Sequence, residues 1–229
     1  MAEVLRDRRT LLLGASLAVP AMLAPLGCSA KGEEETGAVE DLMREHGVLR
    51  RAILVFRESG SRLRAGQKLD PKPLADTARL FRAFGEDYHE RKLEEAHIFP
   101  AIRKSGVPAA AMIDVLLTQH ARGRAVTDYI LAATSKDMTD AEPLAGAFDA
   151  LERMYAHHTA REDTVLFPAW KEILSEHELD EMGEQFEEIE KQQFGGDGFG
   201  DAVRRMDRIE QGLGLSDLAE FTAPWPIAR

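Results

Sequence analysis

The chain has 229 residues, a formal net charge of -11, 30% charged and 44% hydrophobic residues, which is typical of a soluble, mostly helical protein of one or two domains. The acidic balance argues against nucleic acid or an anionic membrane surface as a partner, because both bind clustered Lys and Arg. The single cysteine, Cys28, excludes an intramolecular disulfide and any thiolate-rich zinc or iron-sulfur site. A metal site must therefore use His, Asp and Glu, which suit iron or manganese better than zinc.

Residues 1–30 are predicted to be an export signal and are kept out of the fold. A charged start ending in Arg8-Arg9 precedes an apolar run and resembles a twin-arginine signal, and the small residues around Cys28 resemble a lipoprotein cleavage box. An uncleaved membrane anchor is the alternative, although prolines interrupt the apolar run. Residues 31–37 are predicted to form a flexible leader. We therefore expect a periplasmic or cell-envelope protein that contacts a membrane only through an N-terminal lipid or an uncleaved signal.

Hydrophobic periodicity predicts four long helices, then two shorter ones, and no strand of useful length. Apolar residues recur at spacings of three and four in each long helix, and Gly, Pro or polar turns separate the helices. The predicted helices are 39–64, 73–102, 109–133, a fourth whose apolar stripe runs from Leu144 to Val165, 175–193 and 201–212. We predict an all-α protein, with an up-down four-helix bundle at 38–193 and additional short C-terminal helices and a tail at 194–229.

Two segments combine histidines with carboxylates and end in Phe-Pro, at residues 155–168 and 88–100. Aligning their Phe-Pro pairs places Glu94 opposite Glu162 without a gap. His158 and Glu162 lie on the apolar stripe of the fourth helix, which carries no Lys or Arg. Burying ionised carboxylates there costs roughly several kcal/mol each unless they meet a cation or strong donors. A metal ion is therefore the simplest counter-charge.

Single histidines also lie on the apolar stripes of the first and third helices, at His46 and His120. Each, taken alone, is more often a hydrogen-bonded core residue than a ligand. The two halves of the chain repeat the same arrangement of a stripe histidine followed by a carboxylate-bearing helix. A pseudo-symmetric bundle would bring both halves together at one point in the core, which is how bundles build two-metal sites.

Three motifs of this chain resemble the hemerythrin-like, His-His-Glu cation-binding family: Arg44-Glu45-His46, Gln119-His120, and His158-x-x-x-Glu162 ending in Leu166-Phe167-Pro168. The resemblance covers roughly residues 40–190. It implies an up-down four-helix bundle that holds a non-haem di-iron centre, in which the two Glu residues match carboxylates that bridge the irons. The positions that match metal ligands are His46, Glu94, His120, His158 and Glu162.

The second helix departs from the family pattern, because Glu90 stands where a histidine is expected and His89 lies one residue earlier. Either Glu90 binds metal, or a one-residue π-bulge turns His89 inward; we favour His89. The third helix carries Arg124 where members that bind oxygen reversibly tend to have a second histidine. A carboxylate-rich shell with fewer histidines favours redox turnover over reversible oxygen binding.

Other polar residues near these segments have weaker predicted roles. His97 is expected either one turn from the metals or partly exposed near a helix end, His157 is expected to face solvent, and His177 to be exposed near a helix start. Glu95 and Asp163 are expected to face solvent or to orient polar groups around the ligands.

These features predict a hemerythrin-like protein whose non-haem di-iron centre binds oxygen or a related small molecule, nitric oxide or peroxide, for sensing, delivery or detoxification. Tyr88 and Tyr155 are expected to pack in the core, near enough to donate hydrogen bonds to bound oxygen species. The alternatives are iron storage or handling without catalysis, and a metal-free helical interaction module. The sequence does not identify an electron-donor partner.

Overall fold

The structure is a computed structural model that describes residues 36–136, 138 and 141–225. The predicted export signal, with Cys28, and nearly all of the predicted leader lie outside the described residues. Among the helices of the described ranges, none has both the length and the apolar character that a membrane crossing requires.

The described chain is all-helical and folds into six helices, which confirms the predicted all-α class. Two of these helices contain π-helical segments. The helices are α1 (Ala38–Arg64), α2 (Pro71–Leu80, continuing as π-helical Phe81–Ile98 and ending as Phe99–Ser105), α3 (Ile113–Thr134, after a 3-10 turn at Pro108–Met112), α4 (Ala141–Arg161, π-helical Glu162–Leu166, then Phe167–Glu172), α5 (Glu176–Phe194) and α6 (Gly198–Leu213). A last 3-10 turn is Leu218–Phe221.

Local signals in the sequence set the helix ends. Asp70 starts α2, where its carboxylate accepts a hydrogen bond of 2.9 Å from the backbone N–H of Lys72. Ser175 and Glu178 form a reciprocal capping box at the start of α5. Gly106 ends α2 at a φ of 70°, in the left-handed region that glycine adopts without steric cost.

The helices pack around one apolar core that also contains the polar site described below. Helix α1 makes its most extensive contacts with α4, and α2 contacts α3, while α5 and α6 cover α1 and α2. Phe56 of α1 stacks on Phe148 of α4 with ring centroids 5.2 Å apart, and Met206 of α6 is fully buried. Burying each such side chain contributes roughly 1.5–3 kcal/mol, so packing rather than helix propensity holds these helices together.

The π-helical segment of α2 decides which of its residues face the core. A π-helix closes hydrogen bonds between residues five apart instead of four, and π-helical turns occur frequently at functional sites. Residues five apart, such as His89 and Glu94, therefore lie near one face of α2. Both side chains are buried, at 1% and 0% exposure. The sequence analysis expected at most a one-residue bulge here, whereas the structure has a π-helical segment of 18 residues.

Candidate metal centre

Six of the seven residues predicted as metal ligands converge at one point in the core. All four long helices contribute, and every one of these side chains is at most 3% exposed: His46, His89, Glu94, His120, His158 and Glu162. Their donor atoms form two groups that share Glu94, and within each group the atoms lie within 4.8 Å of one another. The structure thus contains two adjacent half-sites, the first around His46 and His89 and the second around His120 and His158.

In the first half-site the two Nε2 atoms of His46 and His89 are 3.0 Å apart. Nε2 of His89 lies 3.4 Å from Oε1 of Glu94. Nε2 of His46 lies 3.5 Å from Oε2 of Glu162. Both histidines therefore point the same ring nitrogen at the two carboxylates.

The second half-site repeats this geometry on α3 and α4. The Nε2 atoms of His120 and His158 are 3.2 Å apart. Nε2 of His120 lies 3.3 Å from Oε2 of Glu94, and Nε2 of His158 lies 2.9 Å from Oε2 of Glu162. Glu94 consequently presents one carboxylate oxygen to each half-site, and Glu162 lies between the two.

The donor set fits a pair of cations. All four carboxylate oxygens of Glu94 and Glu162 are buried and have no hydrogen-bond partner among the described residues. Unpaired ionised carboxylates in a core cost roughly several kcal/mol each. Two ligand nitrogens bound at about 2.1 Å and at a right angle on one cation would lie about 3 Å apart, close to the 3.0 and 3.2 Å separations within the half-sites.

A ring of hydrogen bonds orients the four histidines, and in this ring each long helix supports the histidine of the next one. The bonds run from Nδ1 of His89 to Glu45 (2.5 Å), His120 to Glu95 (2.9 Å), His158 to Gln119 (2.9 Å) and His46 to Asp163 (2.6 Å). Because Nδ1 carries the donated proton, Nε2 of a neutral ring keeps its lone pair for a metal. Three of the acceptors are carboxylates, and only Gln119 is neutral.

Glu90, the seventh predicted ligand, is buried on the Nδ1 side of His120, with its Oε2 4.0 Å from that nitrogen, and so lies behind the second half-site and outside its facing donor atoms. Its Oε2 accepts a hydrogen bond of 3.1 Å from Arg124, and its Oε1 accepts one of 2.6 Å from the hydroxyl of Tyr155. Arg124 also donates to Glu95 at 2.5 Å. The charge of Glu90 is therefore neutralised by Arg124, and its place among the ligand atoms is taken by His89.

The hydroxyl of Tyr155 fits beside Glu90 because residue 123 is glycine. A Cβ atom at Gly123 would lie 2.3 Å from that hydroxyl oxygen. Tyr155 is thus engaged with Glu90 and does not point at the half-sites. Tyr88 packs in the core as expected, with its ring centroid 5.2 Å from that of Phe194.

A second buried carboxylate, Glu86, lies one turn before Glu90 on α2. It accepts a hydrogen bond of 2.6 Å from the hydroxyl of Thr127 and forms an ion pair with Arg82. Arg82 also donates to the backbone carbonyl of Arg124 at 2.8 Å. Burial raises the pKa of Glu86 to about 7, despite these partners. The second half-site is therefore flanked by a buried network of charges on α2 and α3.

Burial and neighbouring charges shift the pKa values of the ionisable groups in the centre. Burial lowers the pKa of His46 and of His158 to about 4, and the neighbouring His120 contributes to the shift of His158. Burial also acts to lower the pKa of His120, but nearby carboxylates raise it to about 10. Burial raises the pKa of Glu162 well above its usual range, and the charge of Glu94 adds to this shift. A bound cation would displace such protons, because metal ligands must be deprotonated.

Three further histidines lie outside the centre. His97 is half-buried and packs against Phe186 at a centroid distance of 5.8 Å, which matches the expectation of a partly exposed residue. His157 is exposed as expected, and its Nδ1 accepts a hydrogen bond of 3.3 Å from Arg161. His177 is also exposed.

The sequence analysis did not assign roles to Glu45 and Gln119, the acceptors that support His89 and His158. Each directly precedes a histidine of the centre, just as Glu95 and Asp163 directly follow its carboxylates. A ligand with a polar neighbour, repeated once on each long helix, is therefore the signal that could have identified them. Glu95 and Asp163, expected to face solvent or to orient polar groups around the ligands, accept hydrogen bonds from His120 and His46 themselves.

Comparison with known proteins agrees with the resemblance seen in the motifs. A family model described as the hemerythrin HHE cation binding domain matches residues 37–170 and, in a second match, residues 111–222. Uncharacterised proteins of Mycobacterium tuberculosis and Mycobacterium bovis are each 43% identical to this chain over 189 residues, which cover 81% of this chain and 73% of each relative. No solved structure was found to match the chain.

Proposed function

The chain belongs to the hemerythrin HHE cation-binding domain family, and from that premise we propose that its six buried ligands hold a non-haem di-iron centre. The observation that carries this proposal is the set of four buried carboxylate oxygens of Glu94 and Glu162 that have no hydrogen-bond partner among the described residues. A buried pair of carboxylates faced by four imidazole nitrogens is stable only with positive charge between them. Two cations satisfy all of these atoms at once.

Each ligand has a distinct role in this proposal. His46 and His89 would hold one iron, and His120 and His158 would hold the other. Glu94 would serve both, because its two oxygens face different half-sites, at 3.4 Å from His89 and 3.3 Å from His120. Glu162 lies close to both half-sites through a single oxygen, Oε2.

The chemistry of the donors favours iron or manganese, and membership of the hemerythrin family supports iron of these two. Neutral imidazole and carboxylate ligands, with no thiolate, suit iron or manganese. When bound, iron supplies the redox chemistry and the positions at which oxygen, nitric oxide or peroxide binds. The protein orients the donors, keeps bulk water away, and holds protons at Nδ1 of each histidine. We propose that the centre serves sensing, delivery or detoxification of such a molecule.

The proposal extends to architecture and location. Helices α1 to α4 would form the up-down four-helix bundle of the family, and α5 and α6 would cover it. The sequence around Arg8-Arg9 supports export to the periplasm or cell envelope through a twin-arginine route. A reporter fused after residue 30 should be exported from cells with that route and retained when both arginines are changed to lysine.

Metal analysis of the purified, folded protein tests the centre. We expect about two irons per chain, from the two half-sites. His158→Ala should lower the iron content to about one per chain, and Glu162→Ala, whose carboxylate lies close to both half-sites, should lower it at least as far. The control His177→Ala should leave the iron content unchanged. Less than one iron per chain, together with a melting temperature unaffected by chelator, would instead support a metal-free helical module.

Stopped-flow spectroscopy of the ferrous protein tests what the iron does. Mixing with oxygen, nitric oxide or peroxide should give a rapid spectral change that depends on the concentration of the ligand. A reversible change indicates carriage or sensing, and an irreversible ferric product indicates detoxification. Iron that reacts with none of the three would favour storage or handling.

A further inference from the structure

A groove on the surface of the second half-site has a charge opposite to that of the protein as a whole. It lies between α4 and the start of α3, has a volume of about 670 Å³, and reaches Gln119 and His158. The groove is thus on the Nδ1 side of His158, whereas Nε2 of the same ring faces the carboxylates of the centre. A molecule bound there would not occupy the position of a ligand on the metal.

One wall of the groove is a basic ridge along α4. Arg153, His157 and Arg161 follow one another at intervals of four residues, so they lie on one face of the helix, and all three are exposed. Neither arginine forms an ion pair with a carboxylate of the described residues, and no Asp or Glu lines the groove. In a chain of net charge -11, this is a local site of positive potential.

The opposite wall is apolar. It is formed largely by Met112, Val115 and Leu116, with Met154 extending the apolar surface on α4. Val115 is 59% exposed, although a β-branched apolar side chain gains by leaving water. An inorganic anion would leave this wall in contact with water, and a cation would meet the arginines.

We propose that this groove binds a small amphipathic organic anion, a carboxylate with an apolar body. Its carboxylate would pair with Arg153 and Arg161, and its apolar part would cover Val115 and Met112. The groove volume lies within the roughly 300–1,000 Å³ range of small-molecule sites. Charge-assisted hydrogen bonds to two guanidinium groups would supply orientation, and burial of apolar surface would supply affinity.

The bound anion would act on the centre through Gln119. This amide is the only neutral acceptor in the ring of hydrogen bonds, it holds Nδ1 of His158 at 2.9 Å, and it lines the groove. A negative charge beside Gln119 would make its amide oxygen a stronger acceptor for the Nδ1–H of His158. Nε2 of His158 would then be a better donor to metal. The groove would therefore regulate the second half-site, a step that rests on the metal centre proposed above.

Isothermal titration of the full, purified chain with octanoate tests the proposal, with octylammonium as the probe of opposite charge. We expect saturable binding of one octanoate, weakened at higher salt, and octylammonium weaker by on the order of tenfold or more. Arg153→Gln combined with Arg161→Gln should weaken octanoate binding by about tenfold or more. Val115→Asn should weaken it several-fold, by roughly the loss of one buried side chain.

A charge-matched control separates local from general electrostatics. Arg122→Gln combined with Arg208→Gln removes the same charge from two residues that do not line the groove, and it should change octanoate binding by less than about twofold. Equal weakening by both double variants, equal binding of octylammonium, or no saturable binding of octanoate would overturn the proposal. Circular dichroism of each variant establishes that it remains folded.

Discussion

The first and second half-sites use the same ligand chemistry but differ in what supports it. In the first, both histidines donate to carboxylates, His46 to Asp163 and His89 to Glu45. In the second, His120 donates to a carboxylate, whereas His158 donates to the neutral amide of Gln119. A carboxylate acceptor raises the basicity of a metal-binding imidazole more than an amide does. The first half-site is therefore expected to be the stronger donor set.

The charges that surround the two half-sites also differ. Glu45, behind His89, lines a cavity of about 460 Å³ whose walls carry Asp41, Glu187 and Glu190. Burial, with help from Glu45, raises the pKa of Asp41 to about 6, which indicates how crowded with negative charge this region is. The second half-site adjoins the basic groove instead. The two half-sites thus have similar donor atoms but different surrounding charge. Two identical metal ions bound there would therefore differ in affinity and in redox potential.

Removing a ligand from one half-site should have the largest effect. His89→Ala deprives the first half-site of one of its two imidazoles, and we expect iron to fall from about two to about one per chain. Glu90→Ala should keep both irons but lower the free energy of unfolding by about 2 kcal/mol, because Arg124 loses a buried partner. Metal analysis and urea unfolding measure the two quantities on the same samples.

These two variants control for each other, because the residues are adjacent and both are buried. If Glu90→Ala lost iron while His89→Ala kept it, the assignment of the second-helix ligand would have to be reversed. Glu172→Ala, at an exposed position on α4, should alter neither iron content nor stability.

The buried charge network beside the second half-site should make stability depend on pH. Burial raises the pKa of Glu86 from 4.5 to about 7, so the folded state binds this proton more tightly than the unfolded state does. The contribution of Glu86 to stability is therefore greatest below pH 4.5 and is lost as pH rises through 7. Between pH 5 and pH 8 the loss should be about 2.5 kcal/mol.

Glu86→Gln removes this proton while it preserves the shape of the side chain. In urea unfolding at pH 5 and pH 8, the variant should gain stability relative to the parent as pH rises. A difference between the two proteins that stays constant across this range would show that Glu86 does not titrate as described. Glu58→Gln, at a partly exposed position on α1, serves as the control.

The close approach of the Tyr155 hydroxyl to Gly123 is the next feature to test. Gly123→Ala would place a Cβ atom 2.3 Å from the hydroxyl of Tyr155, so the ring must shift and its hydrogen bond to Glu90 must break. We expect a loss of about 2 kcal/mol in the free energy of unfolding. Gly146→Ala is the matched control, because its Cβ would meet nothing within 4 Å. That control should be neutral or stabilising by up to about 1 kcal/mol.

The smallest expected effect comes from making the two half-sites alike. Gln119→Glu gives His158 a carboxylate acceptor, and it should raise the iron affinity of the weaker site by about tenfold. Chelator competition measures this change. The same variant should weaken octanoate binding, because it places a negative charge in the groove. Unchanged release of the more weakly held iron would argue against Gln119 as the cause of the asymmetry. Gln192→Glu is a solvent-exposed control.

Much of the centre was predictable because helical periodicity is local. The spacing of apolar residues predicted six helices with ends within a few residues of those observed, and it placed His46, His120, His158 and Glu162 on inward stripes. The register of α2 was not predictable in this way. An α-helical pattern pairs Glu90 with Glu94, whereas π-helical winding pairs His89 with Glu94. The choice depends on which backbone hydrogen bonds the packed helix adopts.

The local pattern can mark the supporting residues as candidates, but it cannot tell which histidine each of them holds. The hydrogen bond from His120 to Glu95 joins residues 25 apart, and that from His46 to Asp163 joins residues 117 apart. Glu45 and Gln119 serve histidines on other helices, so their roles exist only once the helices are packed.

The sequence by itself determined the all-helical fold and the family, and it determined that histidine and carboxylate ligands meet in an apolar core, because stripe positions follow from a repeat of 3.6 residues. Only the tertiary structure decided that the side chain of His89, and not that of Glu90, joins the cluster of donor atoms, that Arg124 pairs with Glu90, and that the two half-sites lie in opposite local charge. Those outcomes depend on distances between helices, which no local spacing encodes.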